Sequence, residues 1–173
     1  YQACGTDTKG EAMDWLNRLM GDLTGYDEPQ DFADIFISGN ITDESEVSSY
    51  VRDLDLRTGL ASVSYNWKGV RYTREYFNSY PDNVLAVHLS ADEKGCLSFS
   101  VCLKDCTHGT SLLNHTETDT IILKNTLKSN GMKTEAQLKV IPEGGEMTAE
   151  ADSIRVSHAD SVTLIFACGT DYK

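Results

Sequence analysis

Ala61-Ser62-Val63-Ser64-Tyr65-Asn66-Trp67-Lys68-Gly69-Val70-Arg71-Tyr72-Thr73-Arg74-Glu75-Tyr76-Phe77 is the stretch that decides the fold class. Ala61, Val63 and Tyr65 alternate with Ser62, Ser64 and Asn66. After Lys68-Gly69, Val70, Tyr72, Arg74 and Tyr76 alternate with Arg71, Thr73, Glu75 and Phe77. Side chains of a strand point to opposite faces in turn, so an every-second-residue pattern interrupted by a glycine turn reads as a β-hairpin.

The same grammar continues on both sides. Ile35-Phe36-Ile37 is a short apolar run, Ser38 to Ser49 reads as a polar loop, and Tyr50 to Leu56 alternates again. Tyr80-Pro81-Asp82-Asn83 is a turn, because Pro fixes φ while Asp and Asn bond to nearby backbone. Val84 to Leu89 follows, then Leu97, Phe99, Val101 and Leu103 after Lys94-Gly95. Cys106 to Thr120 is polar and carries no clear period. Ile121 to Leu123, Lys133 to Ile141, Ser153 to Ser157 and Val162 to Ala167 complete the set, with Glu143-Gly144-Gly145 as a hairpin turn. About nine short strands without intervening helices predict an all-β antiparallel sandwich, supersandwich-like, rather than a parallel α/β sheet.

Residues 1–30 read differently. Ala12, Trp15, Leu16, Leu19, Met20 and Leu23 recur at helical spacing. Thr6 or Asp7 would cap the start, and Gly21 or Gly25 would end it. The expected organisation is one short helical segment over 1–30 and a sandwich over 31–173.

Composition narrows the function classes. Lys and Arg number 15 against 27 Asp and Glu, a formal charge of −12. Such a surface opposes nucleic acid, whose affinity comes from neutralised phosphates, and anionic membranes. No apolar run reaches the roughly 18 residues that span a bilayer. Five cysteines in a chain of 173 residues do not read as a disulfide scaffold. The start at Tyr1 without Met reads as an excised segment, with no visible signal peptide.

Candidate chemistry is sparse. Cys102, Cys106 and His108, with His115 nearby, lack the tight ligand pairs of a zinc site, and Cys96 and Cys102 read as packed thiols on one strand face with Ser98 and Ser100. His88, His108, His115 and His158 lie in unrelated contexts, and no Gly-x-Ser-x-Gly elbow or phosphate loop occurs. No metal or cofactor is expected. Among the acids, Asp53 and Asp55 share a strand face, and Glu44, Glu46 and Glu75 are further candidates for the carboxylate pair of a glycosidase. In a chain so rich in acids, none is assigned a catalytic role. Tyr65 with Trp67, and Tyr72 with Tyr76, would stack on sugar rings if exposed and form core if buried. The sequons Asn40-Ile41-Thr42 and Asn114-His115-Thr116 matter only in a secreted, glycosylating context.

The stretch Tyr50 to Ala61, then Gly69 to Leu85 with its Arg74-Glu75 and Tyr80-Pro81-Asp82-Asn83-Val84, resembles the N-terminal domain of the glycoside hydrolase family 95 α-L-fucosidases. Asn130-Gly131-Met132, Ala136 to Val140, Gly144-Gly145, Ala159 to Leu164 and Thr170-Asp171-Tyr172 resemble its closing strands. The likeness covers Phe32 to Lys173. It implies a non-catalytic sandwich leaning on a C-terminal helical (α/α)6 barrel of the same polypeptide, which would perform inverting cleavage of α-L-fucosides or α-L-galactosides. It also implies a secreted or periplasmic parent and an oligosaccharide as a further partner. No catalytic residue carries over onto these positions, and no substrate-binding residue is assigned. An independent carbohydrate-binding module, and the sandwich of a related helical-barrel enzyme such as a disaccharide phosphorylase, are the alternatives.

Overall fold

The computed structural model describes residues 9–20, 32–39, 41, 43–105, 110–128 and 130–172. One helix, α1 (Lys9–Met20), precedes twelve strands among these residues. The strands are β1 (Asp34–Gly39), β2 (Val47–Asp55), β3 (Leu60–Trp67), β4 (Val70–Ser79), β5 (Val84–Ala91) and β6 (Leu97–Lys104), followed by β7 (Thr110–Glu117), β8 (Thr120–Thr126), β9 (Lys133–Glu143), β10 (Glu146–Ala149), β11 (Ile154–Ala159) and β12 (Ser161–Thr170). They form two antiparallel sheets: a four-stranded one, β1-β6-β11-β10, and an eight-stranded one, β2-β3-β4-β5-β12-β9-β8-β7. The expected all-β sandwich with one short helix is what the chain forms.

Register explains the layering. Val63, Arg74, Leu89 and Val162 lie opposite one another across β3, β4, β5 and β12, and therefore on one face. Leu89 and Val162 on that row are buried, which makes it the inner face. There Val87, Leu123, Leu138 and Leu164 meet Phe99, Val101, Ile154 and Val156 of the smaller sheet. Each such side chain removed from water contributes on the order of 1.5–3 kcal/mol.

The smaller sheet does not cover the larger one. The buried cluster draws on β5, β6, β8, β9, β11 and β12 but takes nothing from β2 or β3. The larger sheet thus overhangs on the β2 side, where Tyr50, Leu54 and Leu56 stay exposed, Leu56 at 86%.

Several expectations differ in detail. Strands number twelve rather than about nine, because β7 lies inside the polar stretch that carried no period and β10 is a four-residue edge strand. The expected loop from Ser38 to Ser49 instead holds the end of β1, a 3-10 turn over Glu44–Glu46 and the start of β2. Asp43 nucleates that turn, its carboxylate accepting from the Ser45 N–H at 2.8 Å. The helix ends at Met20, and its described apolar residues Met13, Trp15, Leu16 and Leu19 are exposed. The proposed caps at Thr6, Asp7, Gly21 and Gly25 lie outside the described residues.

The hairpin turns follow their sequence cues. Lys68-Gly69 joins β3 to β4 with both residues at positive φ. Gly145 has a stricter reason to be glycine: its φ is +69° and a Cβ there would stand 2.6 Å from the Ala159 amide nitrogen. The contact arises where β11 bulges between Val156 and Ala159, placing His158 at φ 56°.

Candidate functional site

The inner face of the overhang carries the densest grouping of functional side chains. Tyr65 and Trp67 come from β3, and Tyr72, Arg74 and Tyr76 from β4, brought together because alternate positions of paired strands share a face. Tyr65 and Tyr72 stack with ring centroids 5.4 Å apart and planes 16° from parallel; Trp67 leans on Tyr72 at 6.2 Å. Tyr65 is buried, while Trp67 and Tyr72 are half-buried. Trp67 donates its indole N–H to Glu46 at 3.2 Å, and the Lys68 ammonium sits 4.7 Å from its ring centroid. These rings pack on one another and on Lys68 and Arg74 rather than forming an open platform. Burial pushes the Tyr72 phenol above its usual range, with Cys96 and Tyr65 nearby adding to it.

Arg74 organises the group. Its Nη2 donates to the Tyr65 hydroxyl at 3.3 Å, and its guanidinium carbon lies 5.7 Å from the Tyr65 ring centroid. Burial works against its charge, but Tyr65 and Tyr76 outweigh that and raise its pKa. Two hollows adjoin it. One, about 60 Å³, lies between Tyr65, Trp67, Tyr72 and the smaller sheet at Ile37 and Phe99. That is far below the roughly 300 Å³ at which ligand pockets begin, and it has room for a few waters only. The other is an open groove of about 630 Å³ bounded by Tyr50, Arg52, Val63, Tyr65, Arg74 and Tyr76, with Ile41, Glu44 and Val47 at its rim.

The other sequence candidates disperse. Asp55 accepts from the Arg57 N–H at 2.9 Å and pairs with its guanidinium at 3.6 Å, a turn-stabilising role. Asp53 lies on the outer face beside Ser62, and Glu75 lies on the far side of Ser62, on the same row. The row continues to His88, whose Nδ1 is 3.1 Å from the Thr163 hydroxyl. This juxtaposition of Asp53 with Glu75 was not visible in the sequence, since it depends on strand register. Neither acid lines the two hollows at Arg74. Glu46 is held by Trp67 and by Lys68 at 3.7 Å. His158 is exposed on the β11 bulge, its N–H donating to the Ser98 hydroxyl at 3.0 Å. Cys96 and Cys102 are half-buried free thiols, and among the described residues no group of three His, Cys, Asp or Glu could hold a metal ion. Cys106, His108, Asn40 and Thr42 lie outside the described residues, as do the side chains of Asn114 and His115.

The profile described as "Glycosyl hydrolase family 65, N-terminal domain" matches residues 3–173. The chain belongs to that family. The Arabidopsis thaliana protein named "Alpha-L-fucosidase 2" is 40% identical over 72 residues, 42% of this chain and 8% of that protein. "Probable alpha-fucosidase A" of Aspergillus oryzae is 27% identical over 172 residues, 95% of this chain and 23% of its own length. Its namesake in Aspergillus niger is 26% identical over 171 residues, covering 91% of this chain and 20% of that protein. This family 65 N-terminal domain thus resembles proteins that carry the fucosidase name, as its hairpin motifs implied. A solved structure titled "Putative kojibiose phosphorylase from human microbiome" shares the fold, with a TM-score of 0.58 over 82% of this chain and 23% of that one, at 11% identity. The domain spans less than a quarter of the length of each of these proteins.

Proposed function

We propose that the domain is the non-catalytic N-terminal sandwich of a longer α-L-fucosidase-like glycoside hydrolase and that it supports a catalytic (α/α)6 barrel of the same polypeptide. The observation that carries this reading is coverage: the Aspergillus relatives align with 91% or more of this chain, which is 23% or less of their own length. The overhang supports it as well. Tyr50, Leu54 and Leu56 expose apolar surface of the kind that marks an interface with another body. The acids support a non-catalytic role too, because glycoside hydrolysis needs two carboxyl groups flanking one bond, about 5–10 Å apart. Asp55 and Glu46 are engaged in local contacts, and Asp53 and Glu75 flank Ser62 on an open sheet face.

The second reading, an independent carbohydrate-binding module, requires free aromatic faces, and Tyr65, Tyr72 and Trp67 spend theirs on each other and on Lys68 and Arg74. Calorimetric titration of the domain with L-fucose separates the two. The supporting role gives no saturable heat. Micromolar affinity lost on Trp67→Ala would establish the binding module in its place.

A further inference from the structure

The groove of about 630 Å³ beneath the overhang is lined by two arginines, Arg52 and Arg74, and three tyrosines, Tyr50, Tyr65 and Tyr76. Arg52 and Arg74 flank Val63 on one row of the inner face, two strand spacings apart, or roughly 10 Å between backbones. Guanidiniums on long stems easily converge across that distance. Among the described residues neither forms an ion pair, although the chain holds 27 acids. In another surface hollow Lys124 is neutralised by Glu135 at 3.1 Å. Glu44 also lines the groove and forms an ion pair with neither arginine.

The Tyr65 oxygen already accepts from Arg74, so its own proton is left to donate elsewhere. Arginine carries donors only. Two guanidiniums and a phenolic proton facing one groove therefore ask for an acceptor with two oxygens and a negative charge, which a planar carboxylate matches best.

We propose that this groove is a carboxylate-binding site in which Arg74 and Arg52 hold one carboxylate between them and the Tyr65 hydroxyl donates to it. Tyr50 and Tyr76 wall the groove and would pack against the body of the molecule that carries the acid. The carboxylate could be that of a sugar acid or that of an acidic side chain from another polypeptide segment. The site stands on the groove itself and does not depend on the supporting role proposed above.

The test is an NMR titration of the isotope-labelled chain at fixed ionic strength, following the arginine side-chain N–H signals. The probes are galacturonate, N-acetylglutamate methylamide, neutral galactose and chloride. The site predicts saturable shifts at Arg74 and Arg52 with the two carboxylates and none with galactose or chloride. Affinity should fall about tenfold in Arg52→Met, which is exposed and leaves the fold intact, and further in Arg74→Met, while Arg57→Met changes nothing. Tighter binding of galacturonate assigns the site to a sugar acid; equal binding of the glutamate surrogate assigns it to an acidic side chain. Shifts that do not saturate, that survive in Arg52→Met, or that galactose reproduces would overturn the proposal.

Discussion

Arg74 and Tyr65 face each other across β3 and β4 in a double contact: a hydrogen bond of 3.3 Å to the hydroxyl and a guanidinium 5.7 Å from the ring centroid. The pair joins the aromatic stack on one side to the open groove on the other. It fixes where a half-buried positive charge is held in an otherwise acidic domain.

The two halves of that contact separate by mutation. Tyr65→Phe keeps the ring and removes the acceptor, and Arg74→Met keeps most of the stem and removes the charge. Urea denaturation of both single variants and the double variant should give a coupling of about 1 kcal/mol, typical of one charge-assisted bond at a partly exposed site. Strict additivity would mean that the contact contributes nothing to stability.

Two glycines with nearly equal φ differ in their surroundings. Gly59 (φ +70°) has open space where a Cβ would stand, whereas Gly145 (φ +69°) faces the backbone of residues 157–159. Gly59→Ala should cost the left-handed penalty alone, about 1–2 kcal/mol. Gly145→Ala should cost clearly more in thermal or urea unfolding, because the obstacle is backbone and cannot swing away.

Leucines divide by layer. Leu138 is fully buried in the core, so Leu138→Ala should destabilise the domain by about 2–5 kcal/mol. Leu54 is 57% exposed on the overhang, so Leu54→Asp should change the stability of the isolated domain by no more than about 0.5 kcal/mol. If the overhang is the face that meets the proposed barrel, the same change should lower the melting temperature of the longer polypeptide. An unchanged value there would remove the overhang from the interface.

Acid should weaken the fold. The Asp119 carboxyl is held below its usual range chiefly by the Thr120 hydroxyl at 2.7 Å, against the opposing effect of burial, with Lys139 at 3.2 Å adding to the lowering. Glu135 is lowered by Gln137 and then Lys124, and Glu150 by Arg155 and then Ser153. A carboxylate whose folded pKa is depressed contributes stability above its unfolded pKa and loses it as pH falls through the folded one. Thermal midpoints should therefore hold from pH 7 to about 5 and drop below about 4, where these groups take up protons. Asp119→Asn should flatten part of that fall.

The sequence made the middle of the sandwich legible because both faces of the β3–β4 hairpin are written in alternation, from Ala61 to Phe77. Strands β7 and β10 were not legible. β10 is a short polar edge strand, Glu146–Ala149, paired only with β11, and β7 holds its place through β8. Arg74 and Glu75 are neighbours in β4 and so face opposite sides of the sheet, opposite Val63 and Ser62 of β3. Arg74 reaches Tyr65 on β3. Arg52 is not marked by any sequence pattern, because its place on the row of Val63 and Arg74 depends on the β2 register beyond a bulge between Ser48 and Val51.

The central claim is that this sandwich serves a glycosidase without performing the hydrolysis. Release of nitrophenol from nitrophenyl α-L-fucoside, measured side by side for the 173-residue chain and for the longer polypeptide, addresses it most directly. The expected result is turnover by the longer protein and none by the domain. Turnover by the domain itself, abolished by replacing a single carboxylate such as Glu75→Gln, would contradict it.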